Sequence, residues 1–258
     1  MEPEKVPENL KIKINKKVLL LILTMVLAFQ GFITMMPSSG GLDVFISLVS
    51  ILNPLVASVT AFLIAKRYGN SMVFGKAYLI LGAALFMMFL GESSWYYIQN
   101  VLKEEPFPSI ADVFFFAFYP LTISHIVLNI RFFGSKFNAK TKLWLVSLPA
   151  TIIIIYTILT LQQNNELNFD FFYGLIFVIF SSTLLSLSLL GALSFRGGVL
   201  SIAWSLLMVG ILLTTIGDVW YFYLETFNAY VEGHPVELFW YSSYWVITYG
   251  LYKHKKAI

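Results

Sequence analysis

Residues 18–36, VLLLILTMVLAFQGFITMM, form an apolar run without a single charged side chain. A bilayer core about 30 Å thick needs about 20 apolar residues in a helix, so this run is long enough to cross it. Lysines precede the run, but it is longer than the core of a usual signal peptide and lacks a clear cleavage site. We therefore expect a retained first transmembrane helix.

The remainder of the chain has the same character. Its 258 residues are 58% hydrophobic and 17% aromatic, and only 12% are charged. Further apolar segments follow the first at short intervals, which predicts an all-α protein, a polytopic integral membrane bundle of about eight transmembrane helices. The predicted spans are residues 18–36, 44–65, 76–99, 109–132, 143–161, 170–194, 198–226 and 235–253.

Basic residues are distributed according to the side of the membrane. With eight spans, all of the 17 lysines and arginines except Lys103 fall on the side of the amino-terminal tail. The positive-inside rule then predicts a plasma-membrane protein with both termini in the cytoplasm. A seven-helix arrangement would divide the two basic tails between the two sides. Because the basic residues form no single face, we expect the lipid bilayer as a partner and no nucleic acid.

Composition also limits the chemistry of the chain. It contains no cysteine, which excludes disulfides, thiolate metal sites and a catalytic thiol. Its three histidines are His125 in a span, His234 in a turn and His254 in the predicted tail, so no two share a helical face. Phosphate-binding glycine loops and nucleophile motifs are lacking as well. We predict no metal, no cofactor and no catalytic residue.

The two halves of the chain carry related motifs around acidic residues. Residues 91–97 read GESSWYY, and residues 217–223 read GDVWYFY. In each half a proline-containing turn follows, and then an acid, an aromatic residue and a tyrosine at helical spacing. The corresponding residues lie 125 or 126 positions apart, as in the pairs Glu92/Asp218, Asp112/Glu237 and Tyr119/Tyr244.

This correspondence predicts an internal 4+4 duplication. Four crossings return the chain to its starting side, so the two repeats share one orientation and are related by an axis along the membrane normal. The predicted organisation is a basic cytoplasmic tail at 1–17, four-helix repeats at 18–132 and 133–253, and a cytoplasmic tail at 254–258.

The repeated acids lie in the outer halves of their helices, where a charged group is costly. Glu92 and Asp218 lie well inside the helix ends, and an ionisable group at that depth indicates a functional site. Residues three, four and seven apart share a helical face, which aligns each acid with aromatic side chains. The candidate ligand-binding residues are Glu92, Trp95, Tyr96, Asp112, Tyr119, Asp218, Trp220, Tyr221, Glu237, Trp240 and Tyr244.

Three explanations compete for this set of residues. The acids can be structural, each accepting hydrogen bonds from a neighbouring helix and locking the bundle. They can line an outward-facing pocket for a small cationic or aromatic ligand, because carboxylates and aromatic faces together favour cations. They can also perform general acid–base chemistry on a membrane-borne substrate, with His125 as a further participant.

The motif of the first half resembles a known class of membrane sensor. It is similar to the multi-pass sensor regions that precede some prokaryotic diguanylate cyclases and sensor histidine kinases. The resemblance rests on Gly91-Glu92, Trp95, Pro106-Phe107-Pro108-Ser109, Ala111-Asp112, Phe114 and Tyr119-Pro120. It implies a sensory or small-ligand-binding module. Because no kinase or cyclase domain follows, we expect a stand-alone module with a cytoplasmic or membrane signalling partner.

A second resemblance indicates an enzyme. The stretch LGAALF at 81–86 before Glu92, and Gly210 before Asp218, resemble the pattern of the eight-helix lysoplasmalogenase-like proteins. That family implies a membrane-embedded lipid hydrolase with paired acids at Glu92 and Asp218, although a glutamate replaces the first aspartate here. A small transporter is a third possibility, because acids at depth can couple protons or cations.

Overall fold

The computed structural model describes residues 14–35, 40–69, 71–132, 137–164, 166–194, 201–227, 229–231 and 233–256, and this part of the chain is helical without a strand. Two short π-helical segments, Met72–Lys76 and Tyr97–Leu102, flank the third α-helix. The α-helices are α1 (Lys16–Met35), α2 (Gly40–Tyr68), α3 (Ala77–Tyr96), α4 (Ile110–Phe132), α5 (Ala139–Asn164), α6 (Phe169–Ser194), α7 (Ser201–Thr226) and α8 (Glu237–Lys256).

Seven helices in the described part are long and apolar enough to cross a membrane. They indicate a multi-pass membrane protein, in agreement with the predicted all-α membrane bundle. The helix α8 is not one of the seven, although it has 20 residues. Its many tyrosine, tryptophan and serine side chains lower its mean hydropathy. The qualifying segments are Lys16–Met35, Val44–Tyr68, Phe74–Leu102, Ile110–Phe132, Ala139–Gln163, Phe169–Leu193 and Ser201–Thr226.

Hydrogen bonds fasten α8 at both of its ends. We call the end of the bundle that carries Glu237 the outer end and the end that carries His254 the inner end, following the charge distribution. At the outer end, the side-chain amide of Gln30 donates to the carbonyl oxygen of Gly233. At the inner end, the backbone N–H of Asn15 donates to the Tyr249 hydroxyl at 2.9 Å. Both ends of α8 therefore lie beside the ends of α1.

The helix α8 extends beyond its predicted span, which ends at residue 253. It continues to Lys256, and His254 is fully buried. The cytoplasmic location of residues 254–258 stays a prediction. The His254 ring packs against Tyr68 and Tyr78, with centroid distances of 5.3 and 4.9 Å. The neighbouring lysines suggested a solvated segment, whereas the histidine lies on the face of α8 that turns into the bundle.

Corresponding helices of the two halves make similar contacts. In the first half α3 packs on α2 and α4, and in the second half α7 packs on α6 and α8. Between the halves, α2 packs on α8 and α4 packs on α6. The helices α1 and α5 differ, because α1 packs on α8 whereas α5 packs on α6 and α7. The similarity therefore covers three helices of each half.

Glycine allows α7 and α8 to approach closely. A Cβ atom at Gly210 would lie 2.4 Å from the Ile247 side chain and 3.0 Å from the Ser243 carbonyl oxygen. Small residues at such positions are typical of helix packing in membranes, where no hydrophobic force drives helices together. The Ser243 carbonyl oxygen belongs to the backbone of α8, so it cannot move away by a change of side-chain rotamer.

We expect Gly210→Ala to destabilise the bundle by about 1–3 kcal/mol, because the added methyl group overpacks the α7–α8 contact. The measurement is the melting temperature of the purified protein in detergent. Gly31→Ala is the matched control, since nothing lies within 4 Å of a Cβ atom built there. Equal melting temperatures for the two variants would contradict the expected overpacking.

Candidate functional site

Two neutral donors from different helices hold the carboxylate of Asp218. The Tyr119 hydroxyl on α4 donates to Oδ2 at 2.9 Å, and the Trp240 indole N–H on α8 donates to Oδ1 at 2.9 Å. Only 7% of Asp218 and 4% of Tyr119 are exposed. The acid of α7 therefore joins three helices in the outer half of the bundle.

The carboxylate of Glu92, on α3, lies within electrostatic range of the hydroxyl groups of Tyr221 and Tyr244. The Tyr244 hydroxyl is within range of Asp218 as well. Both predicted acids therefore influence one tyrosine of α8. We call this group of residues the acid–aromatic site: Glu92, Tyr119, Asp218, Tyr221, Trp240 and Tyr244.

No basic side chain compensates the acid–aromatic site from its own helices. The helices α3 and α7 contain no lysine or arginine, and those of α4 and α8, such as Arg131 and Lys253, lie at the inner end. A buried carboxylate is costly unless it is paired, hydrogen-bonded or neutralised. At Asp218 the hydrogen bonds from Tyr119 and Trp240 meet this requirement in part.

The predicted acids Asp112 and Glu237 are helix caps. The Ser109 backbone N–H donates to Asp112 Oδ2 at 2.6 Å, and the Gly233 N–H donates to Glu237 Oε1 at 2.7 Å. Each acid lies in the first turn of its helix, where a carboxylate satisfies a free backbone donor and complements the helix dipole. This geometry provides a structural role for both acids, while their predicted contact with a ligand stays a prediction.

Tyrosines complete the surroundings of both capping acids. The Tyr173 hydroxyl on α6 donates to Asp112, and the Tyr230 and Tyr241 hydroxyls donate to Glu237 at 3.1 and 2.8 Å. Tyr230 lies in the turn before α8, where burial and the nearby Glu237 carboxylate raise the pKa of its hydroxyl. These bonds fasten the starts of α4 and α8 to neighbouring segments.

The predicted aromatic residues separate into two groups. Tyr221 belongs to the acid–aromatic site, with its ring centroid 5.6 Å from that of Trp240. Trp220 lies apart, because it is 36% exposed and packs on His234 and Phe239. On α3, Trp95 is half-buried and donates to Gln99 at 3.1 Å.

Tyr96 is half-buried on α3, one residue after Trp95. The Trp95 ring packs on Phe115 of α4, with a centroid distance of 6.5 Å. These two residues therefore lie along the α3 side of the outer half, whereas Asp218 is held by α4, α7 and α8.

Sequence analysis missed two tyrosines of this network, Tyr173 and Tyr230. Helical spacing did align Tyr241 with Glu237, although Tyr241 was not included among the candidate ligand-binding residues. Tyr173 lies on α6, outside the repeated motif, and Tyr230 lies in a turn. Only the packing of α6 on α4 brings Tyr173 to Asp112.

Corresponding glycines contact aromatic rings in both halves. A Cβ atom at Gly91 would lie 2.4 Å from the Phe115 ring, and one at Gly217 would lie 2.8 Å from Trp240 Nε1. The glycines are the first residues of the repeated motifs. The contact between a motif glycine and an aromatic residue of the next helix therefore occurs twice.

Across the described ranges, no group of three or more His, Cys, Asp or Glu residues could hold a metal ion. Comparison with protein-family models, with curated proteins and with solved structures found no match to the chain.

Proposed function

We propose that the protein is a sensory or small-ligand-binding membrane module whose acid–aromatic site takes a small organic cation. The observation that carries this proposal is Asp218, which is buried and, among the described residues, accepts hydrogen bonds from the neutral donors Tyr119 and Trp240. A carboxylate beside aromatic faces attracts a cation by charge and by cation–π interaction. Glu92 supplies a second carboxylate, which interacts electrostatically with the Tyr244 hydroxyl as Asp218 does.

A thermal-shift titration of the detergent-purified protein tests the site. The probes are a series of primary amines and quaternary ammonium ions, each paired with a neutral compound of the same shape. A ligand that binds only the folded state stabilises it by about 2.7 kcal/mol at a hundredfold excess over Kd. We expect stabilisation by cations and none by their neutral counterparts. Equal shifts within each pair, or no shifts, would refute the cation site.

The sensory role is supported by the resemblance of the 91–120 motif to multi-pass sensor regions. A sensor must transmit binding at the outer end to a signalling partner. The helix α8 is suited to this, because it carries Trp240 at the acid–aromatic site and His254 at the inner end. Its inner end contacts Tyr68, which is preceded by the basic pair Lys66 and Arg67. We propose that a partner binds on this basic side.

The finer architecture is part of the proposal: eight spans, an internal 4+4 duplication and cytoplasmic termini. The packing of α8 on α1, α2 and α7 supports an eighth span, because a helix that faces protein on three sides needs less apolar surface than one that faces lipid. The duplication is supported by the two glycine–aromatic contacts and by the matching helix pairs of the two halves.

Cysteine labelling tests the number of spans, since the chain has no native cysteine. With eight spans, Val231 lies outside and Lys253 inside. We expect a membrane-impermeant maleimide to label Val231→Cys in intact cells, and Lys253→Cys only after the membrane is opened. Val231 is 64% exposed, so its accessibility is not limited by burial. Labelling of both variants in intact cells would indicate seven spans.

A second candidate function is hydrolysis of a lysolipid. It is favoured by the convergence of Glu92 and Asp218 on Tyr244, since the lysoplasmalogenase-like resemblance implies a pair of acids at these two positions. Turnover of a vinyl-ether lysolipid by the purified protein, lost in Glu92→Gln, would support this enzyme. Binding of cations without turnover would support the sensor.

A further inference from the structure

A second polar cluster lies at the inner end of the bundle and shares no residue with the acid–aromatic site. It contains His125 on α4 and His254 on α8, and both side chains are fully buried. The two rings pack on the same aromatic neighbours, Tyr78 at centroid distances of 5.8 and 4.9 Å and Trp204 at 6.0 and 5.9 Å. We call this group the inner histidine cluster: Tyr68, Tyr78, His125, Asn129, Trp204 and His254.

The hydrogen bonds of His125 determine its tautomer. Its Nδ1 lies 2.7 Å from the carbonyl oxygen of Ala77. A carbonyl oxygen only accepts, so Nδ1 carries the proton and Nε2 of the neutral ring presents a lone pair. The Asn129 side-chain N–H donates to the His125 carbonyl oxygen at 2.7 Å. The Oδ1 atom of Asn129 takes no part in this hydrogen bond.

Three polar atoms of the cluster are buried without a hydrogen-bond partner among the described residues. They are the Tyr78 hydroxyl oxygen, Asn129 Oδ1 and His254 Nε2. The other ring nitrogen of His254 lies 2.9 Å from the Tyr68 hydroxyl. Native proteins satisfy nearly all buried polar groups, with ordered water where no protein group is available. Three unsatisfied atoms in one cluster therefore indicate a bound molecule.

The packing of the rings limits the size of that molecule. Centroid distances of 4.9–6.0 Å are those of rings in direct contact, which excludes an organic ligand between them. Water both donates and accepts, so it suits the acceptor Asn129 Oδ1 as well as Tyr78 and His254, which can take either role. We infer that the inner histidine cluster is a water-binding site in which water completes the hydrogen bonds of Tyr78, Asn129 and His254.

Bound water connects the buried imidazole of His254 to exchangeable protons. His254 lies in the last turn of α8, so the site is within a few residues of the inner aqueous side. Water molecules that exchange with this side deliver deuterium to the His254 ring, which a dry, closed cluster would protect.

The substitution Tyr78→Phe distinguishes a hydrated cluster from a dry one by the sign of its effect. In a hydrated cluster the hydroxyl bonds to water, so its removal breaks a hydrogen bond, and we expect the melting temperature to fall by about 2–4 °C. In a dry cluster the change removes an unsatisfied buried group and raises the melting temperature. Tyr97→Phe is the control, because Tyr97 is 52% exposed. A rise or no change for Tyr78→Phe overturns the inference.

Nitrogen-15 labelling of histidine provides a second test on the unaltered protein in lipid. The chain has three histidines, so the imidazole signals of His125, His234 and His254 can be separated. We expect transfer of magnetisation from water to the ring of His254, and exchange of its N–H proton in deuterated buffer. Full protection of the His254 ring, with exchange at His234, overturns the inference.

Discussion

Replacing Asp218 with asparagine is expected to weaken the binding of an organic cation by about tenfold to a hundredfold while the fold persists. A carboxylate and a cation about 4 Å apart attract each other by about 4 kcal/mol at an effective dielectric constant of 20, part of which offsets desolvation. Each 1.4 kcal/mol lost corresponds to about a tenfold loss of affinity. The neutral amide removes this attraction.

The same substitution should leave the local hydrogen bonds in place. Trp240 can donate to the amide oxygen, and the amide N–H can donate to the Tyr119 hydroxyl, which accepts as readily as it donates. The melting temperature without ligand is therefore expected to stay unchanged or to rise, because a buried charge without a basic partner is removed.

Isothermal titration of the best cation into the wild type and Asp218→Asn measures the effect, with Glu92→Gln as a second variant. Glu104→Gln is the matched control, since Glu104 is exposed in the turn after α3. Unchanged affinity in Asp218→Asn would mean that the cation binds elsewhere. A fall in melting temperature without any ligand dependence would show that the acid is structural.

Glu237→Ala is expected to destabilise the protein by several kcal/mol. The carboxylate accepts from the Gly233 N–H and from the Tyr230 and Tyr241 hydroxyls, and it is 4% exposed. Truncation removes this acceptor from the Gly233 N–H and the Tyr230 hydroxyl, while the Tyr241 hydroxyl keeps only Ser50 Oγ at 3.3 Å. Each buried donor left unsatisfied costs about 1–3 kcal/mol. The start of α8 also loses its cap.

Chemical or thermal unfolding in detergent measures this loss. Glu237→Gln should cost much less, because its amide retains an oxygen for Gly233 and can donate to a tyrosine hydroxyl. Glu166→Ala, at an exposed position before α6, should have no effect. If the alanine and glutamine variants at Glu237 melt alike, the hydrogen bonds do not stabilise the turn.

The predictions for Asp218 and Glu237 separate the effect of charge from the effect of hydrogen bonding. The sequence analysis placed both residues in one candidate ligand-binding set. Asp218 belongs to the repeated motif and Glu237 follows it, and both are buried beside aromatic donors. The cap of Glu237 includes a backbone N–H, which makes it structural, whereas the hydrogen bonds described for the Asp218 carboxylate come from side chains. We expect the acid of α7 to govern ligand affinity and the acid of α8 to govern stability.

The apolar character of α1 to α7 was predictable from sequence because hydropathy is a local property. A run of about 20 apolar residues must be helical in a bilayer, where each backbone polar group has to be satisfied within its own segment. The capping role of Asp112 was also predictable from the sequence, because Ser109 precedes it by three residues, which is the spacing of a capping box.

The tertiary structure alone decided which of these residues meet. Tyr173 reaches Asp112, and His254 joins His125, because α6 packs on α4 and α8 lies among α1, α2 and α7. Hydropathy determines that a helix enters the bilayer but not which helix lies beside it, since lipid chains are as apolar as the side chains that they contact. Close packing at glycine and hydrogen bonds between helices select the neighbours, and these contacts join residues far apart in the chain.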